Sequence, residues 1–364
     1  MLDSGEIRSN FARLALGMID FRWQTFNSSH VNDSKRHMFG NPTYQGESNS
    51  LGIEWSVSGI LADALLIDQP RKKTGQIMTQ TNILDAVKLE SIFHPSDFSA
   101  ASEVAFVHAL KLALAAGTKL TMLHVEASRS AEWQDFPGVR ETLERWGLIP
   151  KGSPKSEVGQ LGIKVAKVLR LSKDPVNACL VFLQENPTDL IVLAVHQREG
   201  RMCWLRKSVG EPIARKAGQM TLFIPHGVEG FVSRQDGSIS LRNILIPVTI
   251  KPRPQPSVEA AARLIRNLQL PVGTVTLLHV GSAAEMPSLQ LPKDTDWIWN
   301  SVAKVGEPTG TILRTATELP ADLIIMTTDG PEGFLDALRG TTSERVLRKA
   351  RCPVANLPAG SLLG

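Results

Sequence analysis

The chain has 364 residues, 42% of them hydrophobic and 21% charged, which is the composition of an ordinary globular protein and too long for one typical domain. Its formal net charge of +4 is a small surplus for that length, and its most basic run is Arg71-Lys72-Lys73; nothing implies a nucleic-acid partner, and the triplet reads as a solvated linker. No stretch approaches the roughly 18 consecutive apolar residues of a membrane span, and Cys179, Cys203 and Cys352 match neither a disulfide framework nor a paired metal motif, so a reducing cytoplasm is expected.

In chain order, residues 1–88 are predicted to form a flexible leader. Over residues 1–77 eight Lys/Arg balance eight Asp/Glu, turn formers cluster from His37 to Gly52, and only Ile53 to Leu66 has apolar substance, with room for one helix near Ile60 to Leu66. Met78 stands just ahead of the first folded element and is an alternative start. Ile92-Phe93, stopped by Pro95, is a first strand. A helix follows with Val104, Val107, Leu110 and Leu114 at helical spacing, closed by Gly117. Leu120 to Val125 is a second strand, a helix is expected around Trp133 to Trp146, and Val168 to Leu171 is a third strand. Pro175 starts a helix, Leu190 to Ala194 is a fully apolar fourth strand, and Thr221 to Ile224 is the fifth.

The rest of the chain repeats this order. Residues 175–225 align without a gap onto 308–358 at an offset of 133, pairing Asp189-Leu190-Ile191 with Asp322-Leu323-Ile324 and Arg215-Lys216-Ala217 with Arg348-Lys349-Ala350. Upstream the offset is 155 at Leu123-His124-Val125 against Leu278-His279-Val280, and 152 at Pro95 against Pro247. The second set of strands is therefore Ile244 to Val248, Val275 to Val280, Leu323 to Met326 and Val354 to Leu357, and the helix near Trp133 is expected to be absent or shortened there. Alternating strands and helices with near-continuous apolar strands predict two copies of a parallel five-stranded α/β sheet sandwiched by helices, over residues 89–226 and 241–358.

In such sheets ligands bind beyond the carboxyl ends of the strands. One such place is Pro247-Val248-Thr249-Ile250-Lys251 after the second copy's first strand; the other is Met326-Thr327-Thr328-Asp329-Gly330, then nine residues, then Gly340-Thr341-Thr342-Ser343-Glu344-Arg345. Glycines admit close backbone approach, and free N–H groups with hydroxyls at a helix start make an anion site. By themselves the same letters also read as a simple helix N-cap at Gly340-Thr341. His94, His124 and His279 read as structural histidines, Trp297 and Trp299 as packing groups, and Cys179 and Cys352 as buried residues. No Ser/His/Asp arrangement, acid pair or metal cluster defines a catalytic cycle.

The Pro-x-Asp-x-Ser opening at Pro95 to Ser99, the Leu-His-Val strands and the ending from Ala321-Asp322-Leu323 through Gly340-Thr341-Thr342-Ser343-Glu344-Arg345 to Cys352-Pro353-Val354 resemble the universal stress protein family, over residues 88–226 and 241–358. The resemblance implies a Rossmann-like fold of the adenine nucleotide alpha-hydrolase type. It also implies a site in which Gly-x-x-Gly, nine residues and Gly-Ser/Thr hold phosphate, an Asp after the first strand faces the adenine, and the second-strand valine lends its backbone.

Carried over by position, the second copy keeps Gly330, Gly340, Thr341, Ser343 and Val280, with Pro247, Val248, Met326 and Thr342 beside them, and departs at Thr327 for a Gly and at Thr249 for the Asp. Asp329 lies beside the phosphate position, where a Mg2+ ion or Arg345 would offset its charge. The first copy keeps Asp97, Val125 and Ser208 but has Ala194, Gln197 and Lys207 at the glycine positions. The implied ligand is ATP or a related adenine nucleotide with Mg2+, held by the second copy, in a stress-response regulatory protein. The implied partner is a pairing of last strands, within the chain or in a homodimer, with Thr221 to Ile224 near Val354 to Leu357. Two other readings stay open: an interaction protein in which both sites have decayed, and a slow ATPase using Asp329.

Overall fold

The computed structural model of the chain describes residues 89–128, 130–195, 210–293, 296–328 and 341–359, without the side chains of 210–212 and 215. The leader, Cys203, Gln197, Lys207, Ser208, Asp329, Gly330 and Gly340 lie outside the described residues.

The first half opens with β1 (Ser91–Pro95) and α1 (Ala100–Ala116). Ser99 caps α1 by accepting from the Ser102 amide, and Gly117 ends it in the left-handed region at φ 60°, where a side chain would be strained. Then come β2 (Lys119–Glu126), α2 (Val139–Arg145), α3 (Lys155–Gln160), β3 (Lys164–Leu171), α4 (Pro175–Glu185), β4 (Leu190–Val195), α5 (Gly210–Ala217) and β5 (Met220–Pro225). The second half runs β6 (Asn243–Val248), α6 (Gln255–Asn267), β7 (Thr274–Val280), β8 (Ile298–Lys304), α7 (Pro308–Glu318), β9 (Leu323–Thr328), α8 (Thr342–Lys349) and β10 (Val354–Pro358).

Two expectations need correction. The helix placed at Trp133 to Trp146 begins only at Val139, because Trp133 to Asp135 form a turn and the Trp133 side chain stands 58% exposed. The third strand begins at Lys164, not Val168; as an edge strand it is only partly buried, and its lysines interrupt the apolar pattern. Between β7 and β8 the described residues of the second half form only a short 3-10 turn, Ala283–Glu285, where the first has α2 and α3.

The ten strands form one sheet in the order β3-β2-β1-β4-β5-β10-β9-β6-β7-β8. Every neighbouring pair is parallel except β5 and β10, which run antiparallel with Phe223 opposite Val354, Leu222 opposite Ala355 and Thr221 opposite Asn356. Leu222 and Ala355 are the same position of the two copies, so the seam is self-complementary about a pseudo-two-fold axis. Alternate strand residues serve opposite faces. Ile92, Val192, Leu222, Ile244 and Ile325 pack with α1 and α6 on one side. Phe93, Ile191, Phe223, Leu245 and Ile324 pack on the other with residues of α4, α5, α7 and α8.

Both halves solve the same local problem at the amino ends of their own strands. The Asp189 carboxylate accepts from the amides of Glu90 and Ser91, both at 2.8 Å, and Asp322 does the same for Arg242 and Asn243. Each aspartate thus satisfies amides at the start of its half's first strand.

The connection from β5 to β6 is hydrogen-bonded to residues of the first half. His108 on α1, fully buried, donates from Nδ1 to the Val104 carbonyl, and its Nε2 accepts from the amides of Phe231 at 3.0 Å and Val232 at 3.2 Å. Gly230 passes so close to this ring that any Cβ would collide with it. Farther along, Arg145 Nε and Trp146 Nε1 both donate to the Arg234 carbonyl. The segment that only the first half possesses is therefore a dock for the linker.

His94 is also fully buried, donating from Nδ1 to the Val192 carbonyl and accepting at Nε2 from Ser102. Burial lowers both His94 and His108 from 6.5 to about 4. Because the unfolded chain takes up these protons first, the stability they confer is full above pH 6.5 and is lost as pH falls toward 4. Each contributes a slope of about 1.4 kcal/mol per pH unit inside that window. Urea unfolding at pH 5 and pH 6 should show a steep loss for the native chain and, for His108→Gln, a slope smaller by about one proton; equal slopes would show that His108 is not held neutral.

Candidate functional site

Beyond the carboxyl ends of β6, β7 and β9, between the starts of α7 and α8, lies a cleft of about 470 Å³. Strand β6 delivers Pro247 and Val248 to it, followed by Thr249, Lys251 and Pro252 of the next loop. Leu278 and Val280 come from β7, and Met326, Thr327 and Thr328 from β9. Pro308 and Ile312 of α7 form one wall, and Thr341, Thr342, Ser343 and Arg345 at the start of α8 form the other. One side of the cleft is apolar. The other carries hydroxyls, two cations and, among the described lining residues, no carboxylate.

The polar side has its own internal bonding. Thr341 is the N-cap of α8, its hydroxyl accepting from the Glu344 amide at 3.2 Å, so the cap reading of this position is correct as geometry. The amides of Thr342 and Ser343 head the helix, where no preceding turn supplies a carbonyl, and the helix start carries partial positive charge. Arg345 Nη1 lies 3.5 Å from Glu307 Oε1; Glu307 caps α7 and its carboxyl is held below the usual range, first by the Gly310 amide. Thr327, which stands where the family resemblance expects glycine, is buried and shares a 2.7 Å hydrogen bond with Ser257 of α6. The first copy has alanine at both matching positions, Ala194 and Ala105, so the two hydroxyls are a matched pair.

The structure thus gathers Pro247, Val248, Thr249, Val280, Met326, Thr327, Thr341, Thr342 and Ser343 around one space. It does not bring Asp97 and Val125 there. Asp97 follows β1, where its carboxylate accepts from the Ser99 amide at 3.0 Å and the Ser99 hydroxyl at 2.6 Å, and Val125 lies in β2. Because the seam between the halves is antiparallel, the carboxyl ends of their strands point in opposite directions. Ser208, Gly330 and Gly340 lie outside the described residues. Ser257, Pro308 and Ile312 were missed by the sequence reading; Pro308 had a signal, as the repeat partner of Pro175.

The other titratable candidates take structural places. His124 donates from Nδ1 to the Ser96 carbonyl at 2.7 Å, and His279 does so to Val248 at 3.1 Å. Trp297 is buried and donates to the Leu270 carbonyl, while Trp299 packs against the core. Burial pushes the thiols of Cys179 and Cys352 up to about 12, which makes both inert.

Fold and cleft together define a doubly copied Rossmann-like α/β protein with an anion-favouring cleft at the strand ends of its second half. A model of the universal stress protein family matches residues 89–225 and 299–358, and the chain belongs to that family. Among solved structures it is similar to a universal stress protein from Archaeoglobus fulgidus DSM 4304, at 17% identity and a TM-score of 0.50, covering 74% of this chain and 97% of that one. A universal stress protein in complex with cAMP is 19% identical with a TM-score of 0.25, covering 37% of this chain and 96% of that one. The universal stress protein UspA of Lactobacillus plantarum is 20% identical with a TM-score of 0.24, covering 38% and 97%. No curated protein sequence matches this chain. Among the described residues no helix is long and apolar enough to cross a membrane.

Thr341→Val removes the cap hydroxyl while keeping the side chain's shape, and should cost about 1 kcal/mol in urea unfolding. Thr341→Ser should cost almost nothing; equal losses from both would show that the hydroxyl does not cap α8.

Proposed function

We propose that the second half, taken as a domain spanning residues 241–358, binds ATP or a related adenine nucleotide, and that the first, residues 89–226, is a pairing copy without a phosphate loop. On this reading the chain is a cytoplasmic stress-response regulatory protein. The cleft's volume of about 470 Å³ falls within the usual size of small-molecule sites. Its two-sided lining carries the proposal: Val248, Leu278, Val280, Met326 and Ile312 offer an apolar seat for a base, while the start of α8 with Ser343, Arg345 and Lys251 offers donors and positive charge to phosphates. The residues present fit a polyphosphate. Mg2+ would enter with the phosphate oxygens and supply further charge neutralisation.

Isothermal titration with ATP tests this. The native chain should bind, and Thr342→Asp, at the partly buried first position of α8, should bind at least about tenfold more weakly through like-charge repulsion. Its melting temperature should stay nearly unchanged, because an acid in the first turn of a helix favours the fold. Absence of heat with the native chain, together with no nucleotide absorbance released from the purified protein, would overturn the proposal and favour a pairing and interaction role.

A further inference from the structure

A second cavity lies at the seam between the halves. It has a volume of about 90 Å³ and sits over the β5–β10 junction, beneath α1 and α6. Its floor is made of equivalent positions from the two copies, Leu190 with Leu323 and Leu222 with Ala355, and its walls include Leu112 of α1 and Leu264 of α6. The helices keep the offset of 152 throughout, since Gly117 and Gln269 both end them at positive φ, 60° and 51°.

That register shows why the cavity exists. On the first half His108 occupies the matching position and seats the linker, whose Phe231 ring meets it edge-on at 4.7 Å. On the second half the position is Ala260, and the space beside it is open. The next matching pair is Lys111 and Arg263. Lys111 has its ammonium 5.7 Å from the centre of the Trp146 ring, supplied by the segment found only in the first half. Arg263 instead lines the cavity, and among the described residues it makes no hydrogen bond or ion pair. Burial pushes its guanidinium down from the ordinary range, with Glu259 one turn earlier supporting the charge and Arg266 opposing it.

A largely apolar hole with one partly buried guanidinium at its edge, and the Asn267 amide as its other polar side chain, selects a particular chemistry. About 90 Å³ admits about six water-sized groups, and an apolar lining favours methylenes over water. A guanidinium short of partners gains most from a carboxylate, which it can grip with two parallel hydrogen bonds. We propose that the seam cavity binds a small aliphatic monocarboxylic acid of about six carbons, its chain beside Ala260 and Leu264 and its carboxylate on Arg263. The site is independent of the nucleotide cleft and does not rest on the nucleotide reading.

Titration of the full chain with hexanoate and with 1-hexanol tests it. The native chain should bind hexanoate at least fivefold more tightly than the alcohol. Ala260→Phe, which puts a ring into the space that Ala260 and Phe231 border, should abolish both. Arg263→Gln should bring hexanoate down to the level of hexanol, and this partly exposed position carries the test even where Ala260→Phe does not fold. Hexanoate that fails to bind the native chain, or that binds Arg263→Gln as it binds the native chain, would overturn the proposal.

Discussion

The rest of the structure depends on the antiparallel contact of β5 with β10. In a half standing alone each of these strands would be a sheet edge, with a row of unpaired amides and carbonyls. Placing Leu222 opposite Ala355 makes each copy the other's missing neighbour, and it does so with residues that are nearly all buried, so the seam removes polar and apolar exposure together. The outer edges, β3 and β8, remain, and their treatment differs. Strand β3 carries Lys164, Lys167 and Arg170, which discourage further pairing, while β8 has only Lys304.

The same contact fixes where ligands can go. A two-fold arrangement turns the carboxyl ends of the two halves away from each other, so each half must build a site from its own residues. Retained features in one half cannot repair losses in the other. Asp97 therefore has no bearing on the cleft of the second half, and its hydrogen bonds to Ser99 give it a local task at the start of α1. What breaks the symmetry is the chain connection. A single linker can follow only one half, and His108, Arg145 and Trp146 commit it to the first. The second half receives alanine where His108 stands and no inserted helices, and the seam cavity is the residue of that imbalance.

The sheet was largely legible in the letters because buried parallel strands are continuous apolar runs, and a gapless offset of 133 reads the same pattern twice. Legibility failed where burial was partial. Strand β3 sets Lys164 and Lys167 among small apolar residues, and its first four positions were left out of the strand read from the sequence; Trp133 looked like the start of a helix but lies in an exposed turn. The cleft was legible to the extent that it is made of strand ends and one helix start, which the repeat had already located. Its α7 wall was not, because Ile312 has no chemical mark in the sequence. Nor could the letters show that Thr327 is bonded to Ser257, since 70 residues separate the two hydroxyls and only the packing of α6 on β9 brings them together.

Thr327 and Thr249 illustrate how a departure from a family pattern should be weighed. Glycine at the first position would leave room for a ligand backbone contact; threonine fills it, yet its hydroxyl is turned to Ser257 and is satisfied, so the change adds bulk without an orphaned polar group. Threonine for aspartate at 249 acts the other way, by subtracting charge. With Lys251 and Arg345 in the cleft and no carboxylate among its described lining residues, the local field favours anions throughout. On the proposed reading, a nucleotide would therefore be held chiefly by its phosphates. Discrimination among bases would rest on the weaker contacts of Val248, Val280 and Met326, because the carboxylate that could accept a hydrogen bond from a base or a sugar is gone. Such a site ranks ligands by phosphate charge before base identity, and Glu307 moderates even that preference by sharing Arg345 with whatever anion approaches.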